Sequence, residues 1–255
     1  METLARSSVR LAHHERATRV TVLSRMAARK RRKPPQIRDT ARTRLALVRA
    51  AERLFSERGV DAVSMREVSV AAAQRNNSAV LYHFKSREGL IDAVLERHAD
   101  PLQERYLAQI DILEQQGPLD LRTLLEVLIR PLVAKLDDPD GGFHFISISA
   151  QLTVNPSMPL FTRPAASSTP GVIRLITAMA PLLSIPPELL LLRTDRFSSV
   201  LYSSLVAYAR TGHSGPQMRE LFVSDLIDTL MSIYTAAPST KTQVVLDAMR
   251  TSEGA

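Results

Sequence analysis

From Thr40 onward the apolar residues fall three and four positions apart, in runs that end at a glycine, a proline or a polar turn. Such spacing lays one apolar stripe along an α-helix, whereas a strand with one buried face needs a period of two. The first run puts Leu45, Val48, Ala51 and Phe55 on one line, with Arg44, Arg49, Glu52 and Arg53 mostly off it, and Gly59 closes it. Later helical segments are predicted near 119–136, 141–152, 169–183, 187–211, 216–235 and 238–250. They are separated at Gly117-Pro118, Asp138-Pro139, the Pro156-to-Pro170 stretch, Pro186-Pro187, Gly215-Pro216 and Pro238. Pro-Pro-Glu at 186–188 and Gly-Pro-Gln at 215–217 place proline in a first helical turn, where its missing N–H is harmless. Residues 143–150 also alternate like a strand, but no second run is there to pair with them, so helix is the reading. Few β-branched runs, nine glycines and no tryptophan argue against a barrel or sandwich. The fold class expected is all-α, with about nine to ten helices.

Between the first helix and Leu90 the helices are short. Ser64 is an N-cap candidate whose hydroxyl can accept the Glu67 N–H while Glu67 reaches back, a capping box opening a helix from Met65 to about Ala73. Val68 and Ala72 form its inner edge. Gln74-Arg75-Asn76-Asn77-Ser78 is a polar turn, followed by a helix from Ser78 to Phe84 that buries Val80 and Phe84. Ser86 caps the next helix, which runs from Arg87 to about Gln115 with Pro101 as a bend or hinge. Two short helices joined by a small turn form a helix-turn-helix, whose second helix lies in the DNA major groove.

Charge is placed to match. Residues 1–40 hold eleven Lys and Arg against three acidic residues, net +8, so the other 215 residues sum to −1 of the chain's +7. A basic arm beside a near-neutral body suits a polyanion partner, and a solvated tail is the alternative. Met26, opening Met-Ala-Ala-Arg-Lys-Arg-Arg-Lys, is a second candidate start. With no cysteine there is no disulfide, thiol chemistry or Cys-bound zinc, which fits a reducing cytoplasm. No stretch reaches the ~18 apolar residues of a membrane span, and no membrane partner is expected. Gly-x-Ser-x-Gly, phosphate-cradling glycine loops and histidines at ligand spacing are all missing, so neither an enzyme, a metal site nor a cofactor is expected.

Three linked motifs make the helix-turn-helix specific: Arg-Ala-Ala-Glu-Arg-Leu-Phe-Ser-Glu-Arg-Gly (49–59), Val-Ser-Met-Arg-Glu-Val (63–68) and Ala-Val-Leu-Tyr-His-Phe-Lys-Ser-Arg-Glu-Gly-Leu (79–90). Together they resemble the TetR family of transcriptional repressors over about residues 40–97. One departure is Ala73, which stands where that family usually has the glycine of its turn, at a cost of ~1 kcal/mol if the backbone there is left-handed.

The resemblance implies a basic arm without fixed structure over 1–37, a three-helix DNA-binding domain over 38–97 and a helical regulatory and dimerisation domain over 98–255. It implies Ser64 and Arg66 as phosphate or first-base contacts, Asn77, Ser78, Ala79 and Leu81 as the recognition face, and Tyr82 and His83 as a phosphate-binding pair. Lys85 and Arg87 at the next helix start, Arg42 before the first helix and Arg38 in the arm complete the DNA-binding set. Bland alternatives stand beside these: Asn77 as a cap, His83 as packing, Arg42 and Arg66 as solvated charge. The implied partners are a palindromic double-stranded operator, a second copy of the chain and a small-molecule inducer; regulation without a small molecule, through a protein partner, is the alternative, and a helical enzyme a remote one. Helices 187–211 (Leu190, Phe197, Leu201, Leu205, Tyr208) and 216–235 (Leu221, Ile227, Leu230, Ile233) suit a four-helix dimer bundle or, equally, the core of one chain. Tyr106, Phe143, His144, Phe145, Phe161 and Tyr202 are the candidate pocket lining; Arg130 or Arg163, if buried there, would favour an anionic ligand.

Overall fold

The computed structural model describes residues 37–74, 78–160, 163, 169–212 and 215–253. Among them are ten α-helices and no strand: α1 Ile37–Arg58, α2 Met65–Ala71, α3 Ser78–Phe84, α4 Arg87–Gln116, α5 Leu121–Lys135, α6 Gly142–Thr153, α7 Pro170–Met179 with a 3-10 turn to Leu182, α8 Pro187–Thr211, α9 Pro216–Thr235 and α10 Thr240–Glu253. The chain divides into two units, one up to Arg42 and the other from Thr43 onward. Of the first, the described part is the opening of α1; the basic arm lies outside the described residues.

Local chemistry sets the helix ends. Ser64 accepts the Glu67 N–H at 3.2 Å, and Glu67 Oε2 accepts the Ser64 N–H at 2.8 Å, so the capping box is formed. The Ser64 N–H and the Ser64 hydroxyl, both donating to Glu67 Oε2, together with the Arg58 guanidinium, hold the Glu67 carboxyl at a pKa of about 2. A depressed carboxyl stabilises the fold above its ordinary pKa of 4.5, and that contribution disappears as pH falls through about 2. Ser86 takes the Gly89 N–H at 3.1 Å to start α4. Gly89 has no substitute here, since a Cβ would sit 2.2 Å from the Phe84 carbonyl oxygen. Proline opens α7, α8 and α9 in the first turn.

In the larger unit α6 lies along α8, α4 along α7, and α9 along both α5 and α8. One apolar core runs without a break from Leu47, Phe55, Val68 and Val80 through Leu90 and Val94 to Ile148, Leu205 and Ile227. The boundary expected after residue 97 falls inside α4, a thirty-residue helix assigned continuously through Pro101. Buried Arg193 finishes α9 by donating to the carbonyls of Tyr234 at 2.9 Å and Ala236 at 2.6 Å.

Two expectations for α1 are corrected. Leu45 is 42% exposed, while Glu52, placed off the apolar line, is 2% exposed. The buried stripe runs Leu47, Ala51, Leu54 and Phe55, and Glu52 faces its edge because partners forty-five residues away receive it. Phe197, Leu201, Leu205, Ile227 and Leu230, offered for a dimer bundle, lie in this chain's own core, whereas Leu190 and Leu221 stay exposed.

Ala73 has φ of 53°, the left-handed conformation in which a Cβ crowds the following carbonyl. Ala73→Gly is expected to raise stability by about 1 kcal/mol, a rise of about 2–4 °C in Tm for a chain of this size. A melting curve that is unchanged or lowered would show that the turn does not hold that backbone.

Candidate functional site

α3 is a seven-residue helix pinned from below and bare above. Val80 and Phe84 are buried in the core; Leu81 is 54% and Tyr82 78% exposed. The Arg44 guanidinium lies 5.2 Å from the centre of the Phe84 ring, and His83 packs edge-on to Tyr82 at 5.2 Å. Partial burial, then Arg44, lowers the His83 pKa, so the ring stays neutral near pH 7 in the free protein. Lys85 follows in a left-handed conformation (φ 64°), its N–H donating to the Leu81 carbonyl at 3.0 Å, and its side chain is exposed. Arg66 on α2 is exposed and makes no ion pair among the described residues. The outer edge of α2 and α3 thus offers a phenol, an imidazole, an apolar side chain and two cations on one helix pair.

The other expected DNA-binding residues differ. Ser64 is exposed, with its hydroxyl used in the capping box. Arg42 is exposed. Only the backbone of Arg38, Ser78 and Ala79 is described, each in a helix, and Asn77 lies outside the described residues. Arg87 is drawn inward: its Nη1 donates to the Val60 carbonyl at 2.6 Å, which ties the start of α4 to the turn before α2. Gln151 on α6, not foreseen, clips the same corner. It accepts the Val60 N–H at 2.9 Å and donates to the Phe55 carbonyl at 3.1 Å.

Beneath α1 lies a buried ionic network that sequence patterning also missed. Glu52 receives Arg97 at 2.7 Å and the Nε2 of His98, itself 2% exposed. The Lys135 ammonium stands 3.2 Å from His98 Nδ1. Glu52 and Arg97 thus meet one ring nitrogen of His98 and Lys135 the other. Lys135 also bonds Asp138 at 2.8 Å, Arg97 bonds Asp140, and Arg49 reaches Asp140 at 2.9 Å. Gly141 borders the carboxylate, where a Cβ would meet Glu52 Oε2 at 2.6 Å.

Farther along α4 is a cavity of about 130 Å³ between α4, α5, α6, α7, α8 and α9. Tyr106, Phe145 and Tyr202 line it as expected, with Leu95, Leu102, Phe197 and Leu201. Phe143 and His144 do not. Two residues and one residue before Phe145, they are rotated about 200° and 100° away around α6, and His144 instead borders a cleft beside Glu52 and Ala72. Phe161 lies outside the described residues. Arg163 is buried but pairs with Asp92 at 2.5 Å rather than lining the cavity, and exposed Arg130 pairs with Glu220 at 2.7 Å. No group of His, Asp or Glu among the described residues is placed to hold a metal, and none of their helices is long and apolar enough to cross a membrane.

A helix-turn-helix with a bare second helix, mounted on an all-helical body, defines the class of DNA-binding regulators. Residues 47–94 match the family described as bacterial regulatory proteins, tetR family. Over these residues, from within α1 to the first turns of α4, the chain is similar to that family. It is 31% identical over 107 residues to the HTH-type transcriptional repressor KstR2 of Rhodococcus jostii (strain RHA1), a stretch covering 41% of this chain and 50% of the relative. The chain therefore spans half the length of that relative. A tetR family transcription regulator from Shewanella sp. PV-4 has the same fold, with a TM-score of 0.54 at 15% identity over 73% of this chain and 97% of that one. A second, from Marinobacter aquaeolei VT8, aligns over 76% of this chain and 97% of that one, with a TM-score of 0.49 at 15% identity.

Removing the Glu52 carboxylate leaves a buried imidazole and part of the Arg97 charge without their partner. Glu52→Ala is expected to destabilise the fold by about 3 kcal/mol, measured by urea unfolding. A loss below about 1 kcal/mol would mean that the network behaves as a solvated surface pair.

Proposed function

We propose that the chain is a homodimeric transcriptional repressor of the cytoplasm that binds a palindromic operator and is released by a small-molecule inducer. The observation that carries the DNA-binding half is α3, whose buried edge of Val80 and Phe84 fixes the orientation of exposed Leu81 and Tyr82. Tyr82, His83, Lys85 and Arg66 are assigned to phosphates, and Leu81 with Asn77, Ser78 and Ala79 to base edges. Ser64, Arg42 and Arg38 are further phosphate contacts. Dimerisation is supported by apolar residues left uncovered on α8 and α9, notably Leu191 and Leu221. Two copies would set their α3 helices about one DNA turn, roughly 34–36 Å, or somewhat more apart.

Control by an inducer rests on α4. Leu95, Ala99, Leu102 and Tyr106 of this helix line the cavity, and between them His98 bonds Glu52 of α1 while stacking on Phe145, itself a lining residue, at 5.0 Å. A ligand that prefers another position of Phe145 or α4 shifts α1 and the separation of the two α3 helices, by as much as its affinities for the two arrangements differ.

Selection of bound fragments from random DNA is expected to return a palindrome. Tyr82→Phe and His83→Ala should each weaken binding to it about tenfold with an unchanged melting temperature. Enrichment of no sequence, or full affinity in both variants, would overturn the assignment.

A further inference from the structure

The cavity wall brings two hydroxyls together at one place. Ser149 Oγ on α6 is fully buried and, among the described residues, has no hydrogen bond of good geometry. The Tyr202 hydroxyl of α8 lies beside it, near enough to offset part of the rise that burial causes in the Tyr202 pKa. Three other hydroxyls of the lining donate within the protein. Tyr234 donates to Thr194 Oγ1 at 3.2 Å, Ser198 to the Thr194 carbonyl at 2.7 Å, and Tyr106 to the Leu128 carbonyl at 3.4 Å. Buried hydroxyls in native proteins are satisfied, so an open one marks the place of a ligand atom or a water.

Among the described residues, none that lines the cavity is Asp, Glu, Lys, Arg or His. Burial raises the pKa of the Tyr106 and Tyr202 phenols, the latter to about 12, so neither supplies a charge at working pH. A carboxylate or phosphate brought into this space would lose its water and meet no counter-ion, which apolar surroundings penalise heavily. Size is the remaining constraint. The cavity of about 130 Å³ is close to the roughly 150 Å³ of engineered apolar cavities that take up benzene.

We propose that the cavity binds an uncharged, single-ring hydrocarbon carrying one hydroxyl or carbonyl oxygen, with that oxygen seated between Ser149 Oγ and the Tyr202 hydroxyl. This rests on the reading of the cavity as the inducer site and specifies its ligand class. The ring lies against Leu102, Phe145 and Leu201, and the oxygen supplies the partner that Ser149 lacks.

The test uses the full chain and three probes of one size: phenol, benzene and benzoate at pH 7, followed by calorimetric titration and by the melting temperature. Phenol is expected to bind and raise the melting temperature, benzene to bind about three- to tenfold more weakly, the loss of one neutral hydrogen bond, and benzoate not to bind at the same concentrations. Ser149→Ala and Tyr202→Phe should each weaken phenol by about that same factor and leave benzene unchanged. Benzoate binding as tightly as phenol, or phenol and benzene binding alike in all three proteins, overturns the ligand class while leaving the cavity as a ligand site. Failure of all three probes to bind overturns both.

Discussion

Glu52 places a carboxylate where water cannot reach it, and the attachment of the DNA-reading end to the helical body is organised around meeting that charge. Two neighbours on α4, Arg97 and His98, take one oxygen each, and Lys135 from the end of α5 stands against the other ring nitrogen of His98. Asp138 and Asp140 balance the extra cations. A buried ion set of this kind adds little net stability compared with apolar packing, but it is unforgiving of misplacement. Its value here is register: α1, α4 and the loop before α6 fit together in one way.

That register has a functional side because the same helix serves two environments. Along α4, His98 looks toward α1 while Ala99 and Leu102 look into the cavity, and Phe145 is shared by both. The protein needs no long relay between its two ends. A rotation of α4 sufficient to reshape the cavity also changes the His98–Glu52 geometry, since both sets of side chains share one rigid rod.

The helix-turn-helix was legible in the sequence because its signals are local. Ser64 with Glu67, Ser86, Gly59 and the spacing of Val80 and Phe84 each act within a few residues. Even the left-handed turn at Ala73 was readable, from a missing glycine. Long-range burial was not. Nothing near Glu52 in the chain announces Arg97 and His98, so a charged residue on an otherwise apolar helix reads as a surface one. The cavity was half legible for a related reason. Phe145 and Tyr202 carry the aromatic bulk that such a space needs, but which of three successive residues, Phe143, His144 or Phe145, turns inward depends on how α6 is rolled against α8. Composition does not encode that roll. Arg163 misled in the same way: it is buried, yet Asp92 of α4 takes its charge.

At two turns in length, α3 is far below the size at which a helix persists in water by itself. Its seven residues keep their shape only because Val80 and Phe84 are held by the helices beneath and because Ser86 and Gly89 close the corner that follows. Any loosening of that support does more than tilt the reading head: it lets the head melt. On the function proposed above, release from DNA can proceed through loss of order at this surface as well as through movement of a rigid helix.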